Sequence, residues 1–179
     1  KERFDWLSKI AGEVIATPGC ESNVKEIFDK TWELRRTRKD VVIFNQFEEM
    51  GNVLWHYQVT GKAIADAYES LKTDTTRFAG ACFTSGSAGT MSAGDYLKEQ
   101  YPHAKLAVGE ALQCPTLLEN GFGGHRIEGI GDKHVPWVHN VKNTDMVIDI
   151  DDEDSQNLLR LFNTEDGHRY LTEIVGVPK

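Results

Sequence analysis

The sequence predicts an α/β fold with three layers, in which a mostly parallel, twisted sheet carries helices on both faces. Apolar runs of strand length, such as FAGACF (78–83), AKLAVGEA (104–111) and MVIDI (146–150), alternate with segments of helical periodicity. Strands that alternate with helices are joined by crossover connections, and these connections favour parallel pairing. The 179 residues suffice for one domain or two small ones.

The other elements follow from spacing and composition along the chain. Two further strands are predicted at GEVIAT (12–17), which a Pro-Gly pair closes, and at VVIFNQF (41–47). Helices are predicted in four segments where apolar residues recur at helical spacing: 24–32, 61–71, 91–100 and 151–163. The last of these helices begins with acidic residues, which the positive end of the helix dipole favours.

Charge and composition argue against several classes of partner. The formal net charge is -8, and acidic residues concentrate in DIDDEDS (149–155). Nucleic acids and anionic membranes select basic protein faces, so neither is an expected partner. No apolar run approaches the roughly 20 residues that span a bilayer. The three cysteines are widely spaced and include no C-x-x-C pair, which favours a reducing cytoplasm, and the six histidines lack the spacing of metal ligands.

The stretch TSGSAGT (84–90) lies between a predicted strand and a predicted helix, and it is the best candidate for a binding site. A turn rich in glycine at a helix N-terminus exposes backbone N–H groups beside the positive end of the helix dipole, and phosphate is the usual guest there. No lysine follows Gly89 as a nucleotide P-loop requires, and the glycine spacing differs from G-x-G-x-x-G. From spacing alone, a tight turn without any ligand remains equally possible.

Several motifs resemble fold-type-II pyridoxal-phosphate enzymes, the family of cysteine synthase, cystathionine β-synthase and the tryptophan synthase β-subunit. GSAGT (86–90) is similar to the G-T-G-G-T loop that holds the cofactor phosphate in the cysteine synthase branch. NQFEEMGNVLWHYQVTGKAI (45–64) resembles the Q-F-x-N-P-A-N…H-Y-x-T-T-G-P-E-I stretch of that branch. HRIEGIGDKHVP (125–136) resembles its H-K-I-Q-G-I-G-x-x-x-V-P segment. These motifs follow one another in the family's order over nearly the whole chain.

The resemblance implies a fold, a cofactor and a division into domains. The fold is that of the two-domain tryptophan synthase β-like enzymes, with residues 1–50 in the small, substrate-side domain and residues 51–179 in the large, cofactor-binding domain. The implied cofactor is pyridoxal 5'-phosphate and the implied substrate is a small amino acid. The parent protein is expected to form a homodimer.

The resemblance also implies roles for individual residues. The residues expected to hold the cofactor phosphate are Gly86, Ser87, Ala88, Gly89 and Thr90. Those expected to line the cofactor and substrate cleft are Gly129, Ile130 and Gly131. Gln46 is expected to bind the carboxylate of the amino-acid substrate. Turn geometry alone is the alternative explanation for the glycines, and Gln46 could equally be a satisfied polar residue at the end of a strand.

No catalytic residue is assigned. The family's chemistry needs a lysine that attaches the cofactor covalently, in a short S-x-K-x-R-type motif, and no lysine of this sequence has such a context. The substrate-binding T-S-G-N-T-type loop is also missing. The chain therefore resembles an internal piece of a longer enzyme, and by itself it is expected to be inactive and to hold the cofactor weakly, if at all.

For the parent enzyme, the resemblance implies an amino-acid lyase or transferase that works by β-elimination or β-replacement. A serine/threonine dehydratase and a cysteine lyase that releases sulfide are alternatives within the family. EEM (48–50) stands where the family carries N-P-A, which leaves the substrate preference open. An alternative of another class is a non-enzymatic α/β module that binds a phosphorylated ligand.

Overall fold

Three parallel strands form the sheet of the computed structural model, which describes residues 2–19, 24–131 and 133–178. In chain order they are β1 (Gly80–Thr84), β2 (Lys105–Ala111) and β3 (Met146–Ile150). β2 lies in the middle, and Val108 pairs with Phe83 on one side and with Val147 on the other. The predicted α/β fold with parallel strands is therefore confirmed. β2 and β3 fall within the predicted apolar runs, and β1 extends one residue beyond its run, to Thr84.

The described part of the chain also contains α-helices and shorter helical turns. The α-helices are α1 (Glu2–Leu7), α2 (Val24–Thr37), α3 (Met50–Trp55), α4 (Lys62–Leu71), α5 (Gly89–Gln100), α6 (Asp152–Asn163) and α7 (Glu165–Arg169). Residues His56–Gly61 and Tyr170–Val175 form π-helical turns, and Val141–Asn143 forms a short 3-10 helix. Each of the four predicted helices corresponds to one of these elements. The side chain of Asp151 caps α6 by accepting a hydrogen bond of 2.7 Å from the backbone N–H of Glu153.

The two strands predicted at 12–17 and 41–47 are wrong for this structure. In the described part of the chain neither segment has strand pairing, and residues 46–48 form a turn. Their apolar composition satisfies a strand pattern, but a strand also needs a neighbour for its N–H and C=O groups. Here no described segment pairs with either of them. The domain boundary at residue 50 stays a prediction.

Helix α5 is the most deeply buried helix and leads directly out of the end of β1. Its buried positions are Gly89, Met91, Ser92, Ala93, Gly94 and Leu97. Met91 packs with Ala88, Val108 and Val138 in one apolar cluster, which joins the first turn of α5 to the central strand. This packing fixes the N-terminus of α5 at the carboxyl end of the parallel sheet, where ligands commonly bind in α/β folds.

An ion-pair network at the opposite end of α5 holds the helix against the sheet. The carboxylate of Asp145 accepts hydrogen bonds from Lys98 Nζ at 2.6 Å, from Lys105 Nζ at 3.0 Å and from the backbone N–H of Leu106 at 2.9 Å. The Lys98 hydrogen bond, the Leu106 amide and Lys105 together hold the pKa of Asp145 well below its usual range. α5 is thus fastened to the sheet at both of its ends.

Candidate functional site

The turn between β1 and α5 presents a run of unpaired backbone amides. We call residues 84–90 the phosphate turn. Among the residues that the structure describes, no acceptor is paired with the backbone N–H groups of residues 86–90. Helix α5 has no acidic side chain in its first turn that would offset the positive end of its dipole. An anion placed there would meet several donors and a favourable electrostatic potential.

A left-handed residue reverses the chain just before the helix. Ala88 has φ 61° and ψ 9° and precedes the first residue of α5. A left-handed conformation costs a residue with a Cβ about 1–2 kcal/mol. The side chain of Ala88 is 1% exposed and belongs to the apolar cluster with Met91, Val108 and Val138. The buried methyl group therefore offsets part of the strain of the turn.

Two glycines of the phosphate turn lie too close to neighbouring groups to carry a side chain. A Cβ on Gly86 would lie 2.1 Å from the carbonyl oxygen of Gly129, and a Cβ on Gly89 would lie 2.3 Å from Oδ1 of Asn52. Both distances are far shorter than any non-bonded contact. The glycines are therefore required by close approach between segments, and not only by the turn itself.

The predicted cleft segment 129–131 packs directly against the phosphate turn. The backbone N–H of Gly131 donates to the carbonyl oxygen of Ser85 at 3.4 Å, and the Ser85 N–H donates to Gly109 at 3.3 Å. Gly129 and Gly131 adopt φ values of 85° and 76°. The structure thus brings together two of the predicted groups of site residues. Ile130 is 6% exposed and its side chain packs with Ala111 and Cys114, so this segment faces the turn through its backbone.

The third predicted element, Gln46, reaches the phosphate turn through Asn52. Asn52 Nδ2 donates to the carbonyl oxygen of Gln46 at 3.2 Å and to Oγ of Ser87 at 3.1 Å. The Gln46 side chain is exposed and forms no hydrogen bond within the described chain. Its role as a ligand of the substrate carboxylate stays a prediction, and so do the roles of the phosphate-turn residues.

The hydroxyl groups of the phosphate turn differ in availability. Thr90 Oγ1 donates to the carbonyl oxygen of Thr84 at 3.3 Å, so its proton is used within the turn. Ser87 Oγ accepts from Asn52, which leaves its own proton available. Ser87 is therefore the better candidate for a side-chain donor, and Thr90 is left with its backbone N–H.

A buried carboxylate that the sequence interpretation did not use lies beside the site. Glu110 is 3% exposed, and it lines a small cavity together with Ser85, Gly86 and Gly131. Its carboxylate accepts hydrogen bonds from the backbone N–H groups of Leu117 at 2.8 Å and Leu118 at 2.9 Å. Burial raises the pKa of Glu110, and the two amides oppose that rise. An acidic residue inside an otherwise apolar strand was the signal that could have identified it.

The donor set of the phosphate turn fits a phosphate monoester. Unpaired amides, one available hydroxyl and the N-terminus of a twelve-residue helix converge on it, and two glycines keep side chains out of the space between its neighbours. Such a monoester is the anchoring group of pyridoxal 5'-phosphate. In the described part of the chain, no three histidine, cysteine or acidic side chains cluster as metal ligands, and no helix has the length and apolarity to cross a membrane.

The curated proteins to which this chain is similar include cysteine synthases of two bacteria. The chain is 30% identical over 168 residues to a probable cysteine synthase of Bacillus subtilis, an alignment that covers 93% of this chain and 53% of that protein. It is 28% identical over 168 residues to a cysteine synthase of Staphylococcus aureus, of which it covers 52%. No family model matches the chain. The chain therefore spans about half the length of the curated relatives it matches.

Solved structures of related proteins share the fold. A hydrogen sulfide-producing enzyme of Fusobacterium nucleatum superposes with a TM-score of 0.71 at 26% identity, over 98% of this chain and 56% of that chain. A cysteine synthase of Entamoeba histolytica, at 20% identity and a TM-score of 0.70, shares the fold alone. The resemblance that the motifs indicate is thus confirmed: in sequence and fold, this chain is similar to cysteine synthases and to solved structures of the fold-type-II pyridoxal-phosphate family.

Proposed function

We propose that the phosphate turn binds the phosphate of pyridoxal 5'-phosphate, and that the chain contributes this site to an enzyme of amino-acid β-elimination or β-replacement. The observation that carries the proposal is the run of unpaired amides at residues 86–90, held at the N-terminus of α5 with Gly86 against Gly129. The similarity to cysteine synthases supports the reaction class.

In this proposal the residues of the chain bind and orient, and the cofactor supplies the reactive group. When bound, the pyridine ring of pyridoxal phosphate stabilises negative charge that develops on the substrate Cα. The backbone N–H groups of residues 86–90 hold the phosphate dianion, and the α5 dipole favours its charge. Gln46 binds the substrate carboxylate, and the 129–131 backbone forms one wall of the cleft. We assign no proton transfer to any residue of this chain.

A second candidate is release of sulfide from cysteine by the same site. It is supported by the similarity to the hydrogen sulfide-producing enzyme of Fusobacterium nucleatum, at 26% identity over nearly the whole chain. Both activities use the same phosphate site, so they differ in the substrate-side residues. Assaying the parent protein with cysteine alone, and with O-acetylserine plus sulfide, distinguishes the two. We propose that the parent protein is a homodimer, as the family resemblance implies.

The binding proposal can be tested on the 179-residue chain. The four tryptophans provide a fluorescence signal for titration with pyridoxal 5'-phosphate up to millimolar concentration. The matched control ligand is pyridoxal, which has the same aldehyde and ring and lacks the phosphate. Saturable binding of pyridoxal phosphate, at least tenfold tighter than binding of pyridoxal and competed by inorganic phosphate, is expected. Equal affinities for the two compounds would refute the assignment of the turn.

The covalent state of the bound cofactor gives a separate test. Because no lysine of the sequence lies in the family's motif, we expect the bound cofactor to remain non-covalent. After borohydride treatment and dialysis, the chain should retain no stoichiometric cofactor by mass spectrometry. A single lysine modified in one-to-one ratio would contradict this expectation while leaving the phosphate site intact.

A further inference from the structure

We propose that Asn52 is a positioning residue that aims the Ser87 hydroxyl proton at the bound phosphate and ties the phosphate turn to the Gln46 segment. The inference rests on the proposed function of the phosphate turn. Neither the sequence motif nor the predicted roles assigned a task to Asn52, although it connects two parts of the site that are far apart along the chain.

The orientation of the Asn52 amide follows from its partners. The carbonyl oxygen of Gln46 can only accept a hydrogen bond, so the Asn52 atom 3.2 Å from it is the nitrogen Nδ2. That nitrogen has two protons and no available lone pair. Its second proton therefore goes to Ser87 Oγ, at 3.1 Å. Both donors of the amide are used, one on each segment.

The direction of the Ser87 proton follows from the same inventory. A serine hydroxyl has one proton and two acceptor lone pairs. Because Oγ accepts from Asn52, the Ser87 proton cannot point at Asn52 and must seek another acceptor. Among the described residues, no protein acceptor is paired with it. An anion held by the neighbouring amides would provide that acceptor, so the Asn52 contact prepares Ser87 as a donor.

A close contact with Gly89 restricts the position of the Asn52 side chain. Asn52 Oδ1 lies so near Gly89 that a Cβ there would be 2.3 Å from it, and 2.8 Å from both Cγ and Nδ2. The side chain thus occupies the space that a residue larger than glycine would need at the first position of α5. Helix α3, which carries Asn52, also packs against α5. The amide is therefore held by two hydrogen bonds and by this contact with Gly89.

If Asn52 acts through Ser87, the effects of substituting the two residues on cofactor binding should not be independent. A general structural role of Asn52 makes no such prediction. The variants are Asn52→Ala, Ser87→Ala, the double variant, and Gln58→Ala as an exposed control in the turn that follows α3. The measured quantity is the dissociation constant of pyridoxal 5'-phosphate in the fluorescence titration. Removal of one hydrogen bond to a charged group weakens binding by about 10- to 100-fold. We expect Ser87→Ala to fall in this range, and Asn52→Ala to cost about three- to tenfold.

The double variant decides the question. Since Asn52 acts through the Ser87 hydroxyl, the double variant should bind as weakly as Ser87→Ala alone, within about twofold. Gln58→Ala should match the wild type. Multiplication of the two single effects would overturn the inference, because independent contributions add in free energy.

Asn52→Asp provides a second test, because the aspartate side chain has the same shape as that of asparagine. A carboxylate at this position would accept the Ser87 proton, turn it away from the phosphate and add a repelling charge. We expect weaker binding than in Asn52→Ala, and binding as tight as that of the wild type would overturn the inference. Pyridoxal, which lacks phosphate, should show little change in any variant. If the wild type does not prefer pyridoxal phosphate to pyridoxal, the proposed function fails and this inference fails with it. If the wild type shows that preference but the effects of Asn52→Ala and Ser87→Ala multiply in the double variant, only the role of Asn52 is refuted.

Discussion

The contact between Gly86 and Gly129 allows the site to be tested by one methyl group. In Gly86→Ala the new Cβ would lie 2.1 Å from the Gly129 carbonyl oxygen, about 1 Å inside the closest separation that such atoms tolerate. The obstructing atom belongs to the backbone, so a side-chain rotation cannot relieve the clash. The phosphate turn and the 129–131 segment must therefore move apart by about 1 Å.

The cost can be worked out from the contacts that this movement disturbs. Forcing an extra methyl group into a packed site costs about 1–3 kcal/mol. Loss of the hydrogen bond from Gly131 to Ser85 adds about 0.5–1.5 kcal/mol. We expect the free energy of unfolding to fall by about 2–4 kcal/mol. Displacing the amides by a similar distance should also weaken binding of pyridoxal phosphate by at least tenfold.

Urea denaturation followed by tryptophan fluorescence measures the first effect, and the ligand titration measures the second. The matched control is Gly124→Ala, in the glycine-rich stretch that contains Gly129, where a Cβ would meet nothing within 4 Å. Neither glycine has a positive φ, so the comparison isolates the steric term. Gly124→Ala should stay within about 0.5 kcal/mol of the wild type. A Gly86→Ala variant as stable as this control, with unchanged ligand affinity, would refute the reasoning.

Three further predictions concern the strain at Ala88, the ion pairs of Asp145 and the burial of His139. Ala88→Gly relieves a left-handed residue but removes a buried methyl group, so its free energy of unfolding in urea should stay within about 1 kcal/mol of the wild-type value. Ala93→Gly, which removes a methyl group buried inside α5, should lower that free energy by about 2 kcal/mol. Equal losses in the two variants would contradict the strain at Ala88. Lys98 and the other donors lower the pKa of Asp145, so the stability that its carboxylate contributes is present above pH 3.8 and is lost as the pH falls through the folded-state pKa. In urea titrations, Asp145→Asn should therefore be less stable than the wild type at pH 7, and this difference in stability should shrink at about pH 3. A constant difference would count against the ion pairs. Burial lowers the pKa of His139 below 6.5, so the wild type should lose stability as the pH falls from 6.5 through the folded-state pKa. In His139→Gln, the free energy of unfolding should depend less steeply on pH over that range. Identical pH dependences would show that His139 does not titrate as proposed.

The central part of the fold could be predicted because its signals are local. AKLAVGEA and MVIDI contain β2 and β3, FAGACF covers β1 except for its last residue, and the glycine-rich turn lies where the sequence indicated, between β1 and α5. The strands predicted at 12–17 and 41–47 fail for a non-local reason. Apolar composition favours an extended segment, but pairing depends on which segment lies beside it, and no local pattern carries that information.

Within the site, the sequence identified backbone features better than side-chain partnerships. Glycines 86 and 89 are conspicuous in any reading, and the structure adds that each touches a distant segment. The task of Asn52 could not be derived, because its partners at Gln46 and Ser87 are brought together only by the packing of α3 on α5. Thr90 shows the opposite case: its hydroxyl looks available in the sequence, yet it is bonded to Thr84.

The hydrogen bond between Asn52 and Ser87 joins residues 35 positions apart, and the contact between Gly86 and Gly129 spans a still longer stretch of chain. Closing such loops is slow, because chain entropy is lost before the contacts compensate for it. We therefore expect the ligand pocket to form late during folding, after the local β1–α5 unit. A bound anion would accordingly act on the rate at which the native protein opens and would leave the rate of its formation almost unchanged.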